Sequence, residues 1–74
     1  MNAIIWSKHN CPNCEQAKTL LKQNGIQFEE RKIGDIYTRE QLLEAVPTAK
    51  SVPQIFLDGK HIGGFTELKA HLNG

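Results

Sequence analysis

No apolar run in this sequence of 74 residues approaches the roughly 20 residues of a membrane-spanning helix. Charge of one sign is also missing. Nine Lys and Arg stand against eight Asp and Glu for a net charge of +1, and the basic residues are scattered rather than gathered into the stripe that a nucleic-acid partner calls for. The opening "MNAIIWSKHN" lacks the basic region, longer apolar region and small-residue cleavage site of a signal peptide, so a cytosolic location is expected. There is no repeat, linker or low-complexity segment. With 39% hydrophobic residues the chain suits a single domain over residues 1–74, at the small end of what folds without a staple. Cysteine is nearly absent. The only two, Cys11 and Cys14, share the stretch "SKHNCPNCEQAK", and in a reducing compartment such a pair is more often catalytic or metal-binding than a permanent bridge.

What is present reads as alternating strands and helices. Ala3 to Ser7, "AIIWS", is too short for a helix and continuous enough for a strand buried on both faces. From Pro12 to about Asn24 the apolar spacing turns helical, with Pro12 in the first turn, where its missing N–H costs nothing, and Gly25 placed as a C-terminal cap. "IQFEERKI" suits a second strand, and a strand, helix and strand in about 30 residues make a right-handed unit of parallel strands. Thr38 and Gln41 form a capping-box pattern before a short helix through Leu42, Leu43 and Val46 that Pro47 ends. Ile55 to Leu57, the turn Asp58-Gly59 and His61-Ile62 read as a hairpin that Gly63-Gly64 closes. Thr66 is expected to cap a last helix carrying Leu68 and Leu72 on one face.

The cysteine pair admits three uses. As a staple it is poor, because closing so short a loop gives about 2 kcal/mol against nearly 5 for a loop of about 100 residues. As half of a zinc site it lacks partners: His9, His61 and His71 form no second ligand pair at a usual spacing. As a redox pair it explains its neighbours. Cys11 lies where strand meets helix, so the free N–H groups and positive end of the helix favour a thiolate there, and Lys8 and a protonated His9 add positive charge. That makes Cys11 the expected nucleophile and Cys14, one turn inward, the expected resolving thiol. Trp6 and Phe65 are expected to serve in packing.

"CPNC" after the first strand, "SVPQIF" before the hairpin and "GGFTEL" before the last helix, in this order and over the whole chain, resemble the glutaredoxin family. The resemblance implies an α/β thioredoxin-like fold of order β-α-β-α-β-β-α, with a mixed four-stranded sheet and three helices. It implies a dithiol enzyme reducing protein disulfides and glutathione mixed disulfides, with no bound cofactor and with glutathione as co-substrate. It makes Pro53 a cis-proline and gives glutathione a site of Lys8, Asn13, Val52, Pro53, Gly64, Phe65 and Thr66. Val52 would pair with the ligand backbone, Lys8 would meet the glycine carboxylate, and the turn Gly64-Phe65-Thr66 would meet the γ-glutamyl carboxylate. A monomer is implied, with ribonucleotide reductase among its protein substrates.

Two positions depart from the common pattern of that family. Asn13 stands where an aromatic residue is usual, and Thr66, followed by Glu67, stands where an acidic residue often pairs with the γ-glutamyl ammonium. Losing that charge-assisted bond is expected to weaken binding by about 1 to 2 kcal/mol, roughly ten-fold, unless Glu67 substitutes for it. The departures leave room for a redoxin or small thioredoxin re-reduced by thioredoxin reductase through the same cysteines. An iron–sulfur carrier is disfavoured by Pro12 and by a competent Cys14.

Overall fold

The apolar run at the start of the chain becomes β1 (Asn2–Lys8), an interior strand of a four-stranded sheet, in a computed structural model that describes residues 1–73. α1 (Pro12–Gln23), β2 (Gln27–Ile33), α2 (Arg39–Ala45), β3 (Gln54–Leu57), β4 (Lys60–Gly63) and α3 (Phe65–Asn73) follow. Strand order is β2-β1-β3-β4, with β1 parallel to β2 and antiparallel to β3, and β3 antiparallel to β4. The sheet is therefore mixed, and the order of elements is the one the motifs imply.

Alternation along β1 divides the apolar side chains between two layers. Ala3 and Ile5 pack with Ala17 and Leu21 of α1 and Leu68 of α3, while Trp6 packs with Leu42 of α2 and with Val46. Both faces of β1 are covered, which is why it reads as a continuous apolar run rather than an alternating one. β2 lies at the sheet edge, and its charged centre, Glu29 to Lys32, suits a strand with one unpaired side.

The short-range signals form as read. α1 ends in a Schellman motif: Gly25 has φ +68°, its N–H donates to the carbonyl of Lys22 at 3.1 Å, and that of Ile26 donates to Leu21 at 3.0 Å. Thr38 and Gln41 make both bonds of the capping box at the start of α2. Asp58 and Gly59 take φ +48° and +84°, the positive values of a type I′ hairpin, and Asp58 ties the turn to Asn2 through N–H···O bonds of 2.8 and 2.9 Å.

One expectation is corrected. Thr66 does not cap the last helix; α3 begins one residue earlier, at Phe65. The cap comes from the opposite direction, because the Glu67 carboxylate accepts from the Gly64 N–H at 2.7 Å. This is the returning half of a capping box, with Gly64 supplying no side chain of its own.

Candidate active site

Cys11 occupies the junction between β1 and α1. Asn10, just before it, has φ +56°, which turns the chain into the helix. Cys11 itself is extended (φ −122°, ψ 95°) and serves as the N-cap: its sulfur accepts from the Cys14 N–H at 3.2 Å. A sulfur is an unusual cap. Here the geometry places an N–H donor and the positive end of the α1 dipole on the same atom, and both favour a thiolate over a thiol.

The two cysteines are joined as a disulfide with Cα atoms 5.2 Å apart. They differ in access. Cys14 has no exposure, whereas Cys11 is 8% exposed and borders a cleft with Lys8, Pro12, Asn13 and Val52. Opposite them the Val52–Pro53 peptide is cis, and the Val52 carbonyl oxygen lies 3.9 Å from the Cys11 sulfur. With the sulfur in a disulfide this is a contact rather than a hydrogen bond, since no S–H remains to donate.

From Val52 the cleft continues past Pro53 to Gly64, Phe65 and Thr66, with Asn13 on its near side. The seven residues that the resemblance assigns to glutathione thus line two adjoining depressions that share Asn13 and Val52. Lys8 stands at one end and the first turn of α3 at the other. Gly63 has φ +117°, and a Cβ there would come within 2.7 Å of Glu67 Cγ; one on Gly64 would lie 3.2 Å from the Pro53 carbonyl oxygen. The glycine pair therefore fits this corner on grounds of backbone conformation and space. Trp6 is 2% exposed in the core beneath α2, and Phe65 both packs on the main core and lines the cleft.

His9 makes a 3.2 Å contact with Asp35, both largely exposed, and His61 contacts Gln54 at 2.8 Å. Gln54 in turn donates to the Ser51 carbonyl at 2.9 Å. Among the described residues no three His, Cys, Asp or Glu side chains gather as a ligand set.

Sequence reading missed three features. Glu67 fills a capping role beside the cleft. Lys50 and Ser51 lie in the loop before Val52 and border the depression beyond Lys8, a grouping that needs the chain to return after more than 40 residues. Beneath α1, the fully buried Ser7 donates to Glu30 at 2.7 Å, and Lys18 donates to the same oxygen at 2.9 Å. Burial pushes the Glu30 carboxyl up, but the bonds from Ser7 and Lys18 outweigh it and hold it below the usual carboxylate range. Hydrogen bonding to Glu15 outweighs burial at Lys18 and raises its ammonium, with Glu30 adding to the effect.

A redox-active cysteine pair at a strand-to-helix junction, facing a cis-proline loop on a mixed four-stranded sheet, defines a thiol–disulfide oxidoreductase of thioredoxin-like fold. The comparisons narrow the class. The sequence model of glutaredoxin matches residues 3–62. Glutaredoxin 3 of Escherichia coli K12 is 41% identical over 70 residues, which cover 93% of this chain and 83% of that one. A probable glutaredoxin of Synechocystis sp. is 40% identical over 67 residues, covering 89% and 76%. The crystal structure of glutaredoxin 1 from Francisella tularensis, complexed with cacodylate, superposes with a TM-score of 0.83 at 37% identity, covering 97% of this chain and 92% of that one. A buckwheat glutaredoxin–glutathione complex superposes with a TM-score of 0.80 at 27% identity, covering 97% and 69%. The chain belongs to the glutaredoxin family.

Proposed function

We propose that the chain is a monomeric, cytosolic, glutathione-dependent reductase of protein disulfides and glutathione mixed disulfides. The observation that carries this reading is the cleft at Cys11, which has a cation at one end and a helix N-terminus at the other. Glutathione has a carboxylate at each end and its sulfur between them. With the sulfur at Cys11, the glycine carboxylate meets Lys8, aided by Lys50 in the adjoining loop. The γ-glutamyl carboxylate meets the N–H groups of Phe65 and Thr66, which have no partner within α3 because they open the helix. The Gly64 N–H is already held by Glu67. Asn13 and Pro53 line the path between the two ends, and Val52 offers its backbone to the ligand as an added strand does.

The Cys11 thiolate attacks one sulfur of the substrate disulfide, a Cys11 mixed disulfide forms, and the other sulfur leaves as a thiol. Cys14 then attacks Cys11, releasing the second thiol and leaving the Cys11–Cys14 disulfide, so two electrons have passed to the substrate. Two glutathione molecules return the dithiol and become glutathione disulfide. For a glutathione mixed disulfide Cys11 alone suffices, with a second glutathione resolving the intermediate. Ribonucleotide reductase is a protein substrate of the kind this chemistry serves.

The deciding experiment follows turnover of a small glutathione mixed disulfide with two donors in parallel: glutathione with glutathione reductase, and thioredoxin reductase alone. Turnover with glutathione is the expected result. Turnover with thioredoxin reductase alone keeps the cysteine roles and overturns the glutathione site at Lys8, Val52 and Thr66.

A further inference from the structure

Beyond Lys8 and Val52 the cleft opens into a second groove, between the end of β2, α2 and the loop before Val52. Its floor is apolar, formed by Ile33, Leu42, Leu43 and Ala49, and its rim carries Lys8, Arg39 and Lys50. Two properties set it apart from ordinary surface. Leu43, a large apolar side chain, is 37% exposed. The three cations form no ion pair among the described residues, whereas Lys18 and Arg31 each hold a carboxylate. Glu40 and Glu44 also sit on α2 but do not line the groove. An apolar floor with unpartnered positive charge is complementary to an apolar ligand that brings negative charge.

Position says which part of a ligand arrives there. Lys8 and Val52 border both the Cys11 cleft and this groove, so the two adjoin. In the orientation set out above, the γ-glutamyl end lies toward α3 and the glycine end toward Lys8. Residues that follow the reacting cysteine therefore run into the groove. In glutathione that residue ends in a carboxylate, but in a longer polypeptide the same position is a neutral amide, and the cations lose their partner. An acidic side chain restores it. An aliphatic side chain farther along then covers Leu43 and Ala49.

We propose that this groove recognises the polypeptide part of protein substrates, selecting an extended segment with Asp or Glu directly after the disulfide cysteine and an aliphatic residue two or three positions later. The inference rests on the proposed thiol–disulfide activity and adds the class of polypeptide it prefers. No new redox step is involved: the protein dithiol becomes the Cys11–Cys14 disulfide as one peptide disulfide becomes two peptide thiols.

The test uses the pre-reduced protein in a single turnover, so the identity of the electron donor has no bearing. Its substrates are symmetric disulfide dimers of short peptides reading Cys-Glu-Gly-Leu, Cys-Lys-Gly-Leu or Cys-Glu-Gly-Ser, with released peptide thiol measured by chromatography. The Glu-Leu peptide is expected to react about ten-fold faster at sub-saturating concentration than the Lys peptide, the scale of one well-placed charge pair, and several-fold faster than the Ser peptide. Arg39→Glu is expected to erase or invert the Glu-over-Lys preference, and Leu43→Ser the Leu-over-Ser preference. Both positions are exposed on α2, and an acid at its first residue suits the helix dipole. Leu43→Ser is expected to turn over a small glutathione mixed disulfide at the wild-type rate, and Arg39→Glu to lose more on the Glu-Leu peptide than on that small substrate. Equal rates for the three peptides overturn the groove while leaving the reductase standing. Equal loss on peptide and small substrate in Arg39→Glu also overturns it, by making Arg39 part of the glutathione site. No reaction with any peptide or with the small substrate removes the underlying activity instead.

Discussion

The Cys14 N–H points at the Cys11 sulfur from 3.2 Å, so the atom that caps α1 is also the atom that faces the cleft. The cap and the reactive group are one and the same. Substitutions at Cys11 therefore divide chemistry from stability. Compared with the reduced wild type, Cys11→Ser is expected to abolish all turnover yet keep the helix cap, because a hydroxyl accepts the same bond. Cys11→Ala loses both, and its stability should fall about 1 kcal/mol below that of Cys11→Ser. Cys14→Ser should spare glutathione mixed disulfides and lose protein disulfides. Denaturant unfolding beside the two activity assays checks all three variants, and equal loss of both activities in Cys14→Ser contradicts the assigned division of labour.

The Ser7–Glu30–Lys18 cluster gives stability a defined dependence on pH. Glu30 is held below its ordinary value, so the folded state binds fewer protons than the unfolded one. Its contribution is complete above the unfolded value of about 4.3 and is lost as pH falls through the lowered folded value. Lys18 is raised, so its contribution is present below about 10.4 and is lost as pH rises through the higher folded value. Glu30→Gln should cost about 1–2 kcal/mol at pH 7 and progressively less toward pH 3. Urea unfolding followed by circular dichroism at the two pH values measures this, and an equal cost at both would refute it.

Gly63 and Gly64 should respond differently to a methyl group. Gly63→Ala meets a positive φ and the Glu67 side chain at 2.7 Å, and is expected to lose about 1–3 kcal/mol of stability. Gly64→Ala meets the Pro53 carbonyl oxygen at 3.2 Å and narrows the cleft. It should raise KM for glutathione more than it lowers Tm. Paired thermal melts and glutathione titrations of the two variants separate the effects.

Thr38→Ala removes the acceptor for the Gln41 N–H at 3.2 Å and one half of the capping box. A loss of about 1 kcal/mol is expected. Because α2 has seven residues and walls the second groove, faster amide hydrogen exchange should appear in α2 before it appears in α1. Uniform exchange across both helices would show that the cap does not hold α2 locally.

What could be read in the sequence was whatever local chemistry decides. Pro12, Gly25, the pair Thr38 and Gln41, and Asp58-Gly59 act on the backbone within a few residues of themselves, and each sits where its chemistry suggests. The start of α3 escaped because Thr66 and Glu67 are both competent caps, and the choice between them depends on the reach of the Glu67 side chain back to Gly64. Glu30 escaped because a carboxylate in a charged strand looks solvated until β2 aligns with β1 and brings Ser7 and Lys18 to it. The cationic groove escaped for the same reason, since Lys8, Arg39 and Lys50 meet only after the chain has crossed the sheet. Both cysteines stand out by their spacing, and six of the seven residues expected to bind glutathione lie in the three motifs that carry the family resemblance, with Lys8 three residues before the first.

The chain holds a single tryptophan, and Trp6 sits in the smaller apolar layer together with Leu42, Val46 and the flank of Val52. Arg31 lies 5.3 Å from the centre of its ring, and Tyr37 meets it edge-on at 5.6 Å. Leu42 and Val52 are also groove residues, so the indole lies one side chain beneath the surface where a polypeptide would settle. The protein thus carries its own optical reporter: a shift in emission on peptide addition reads occupancy directly, without a label and without electron transfer having to occur.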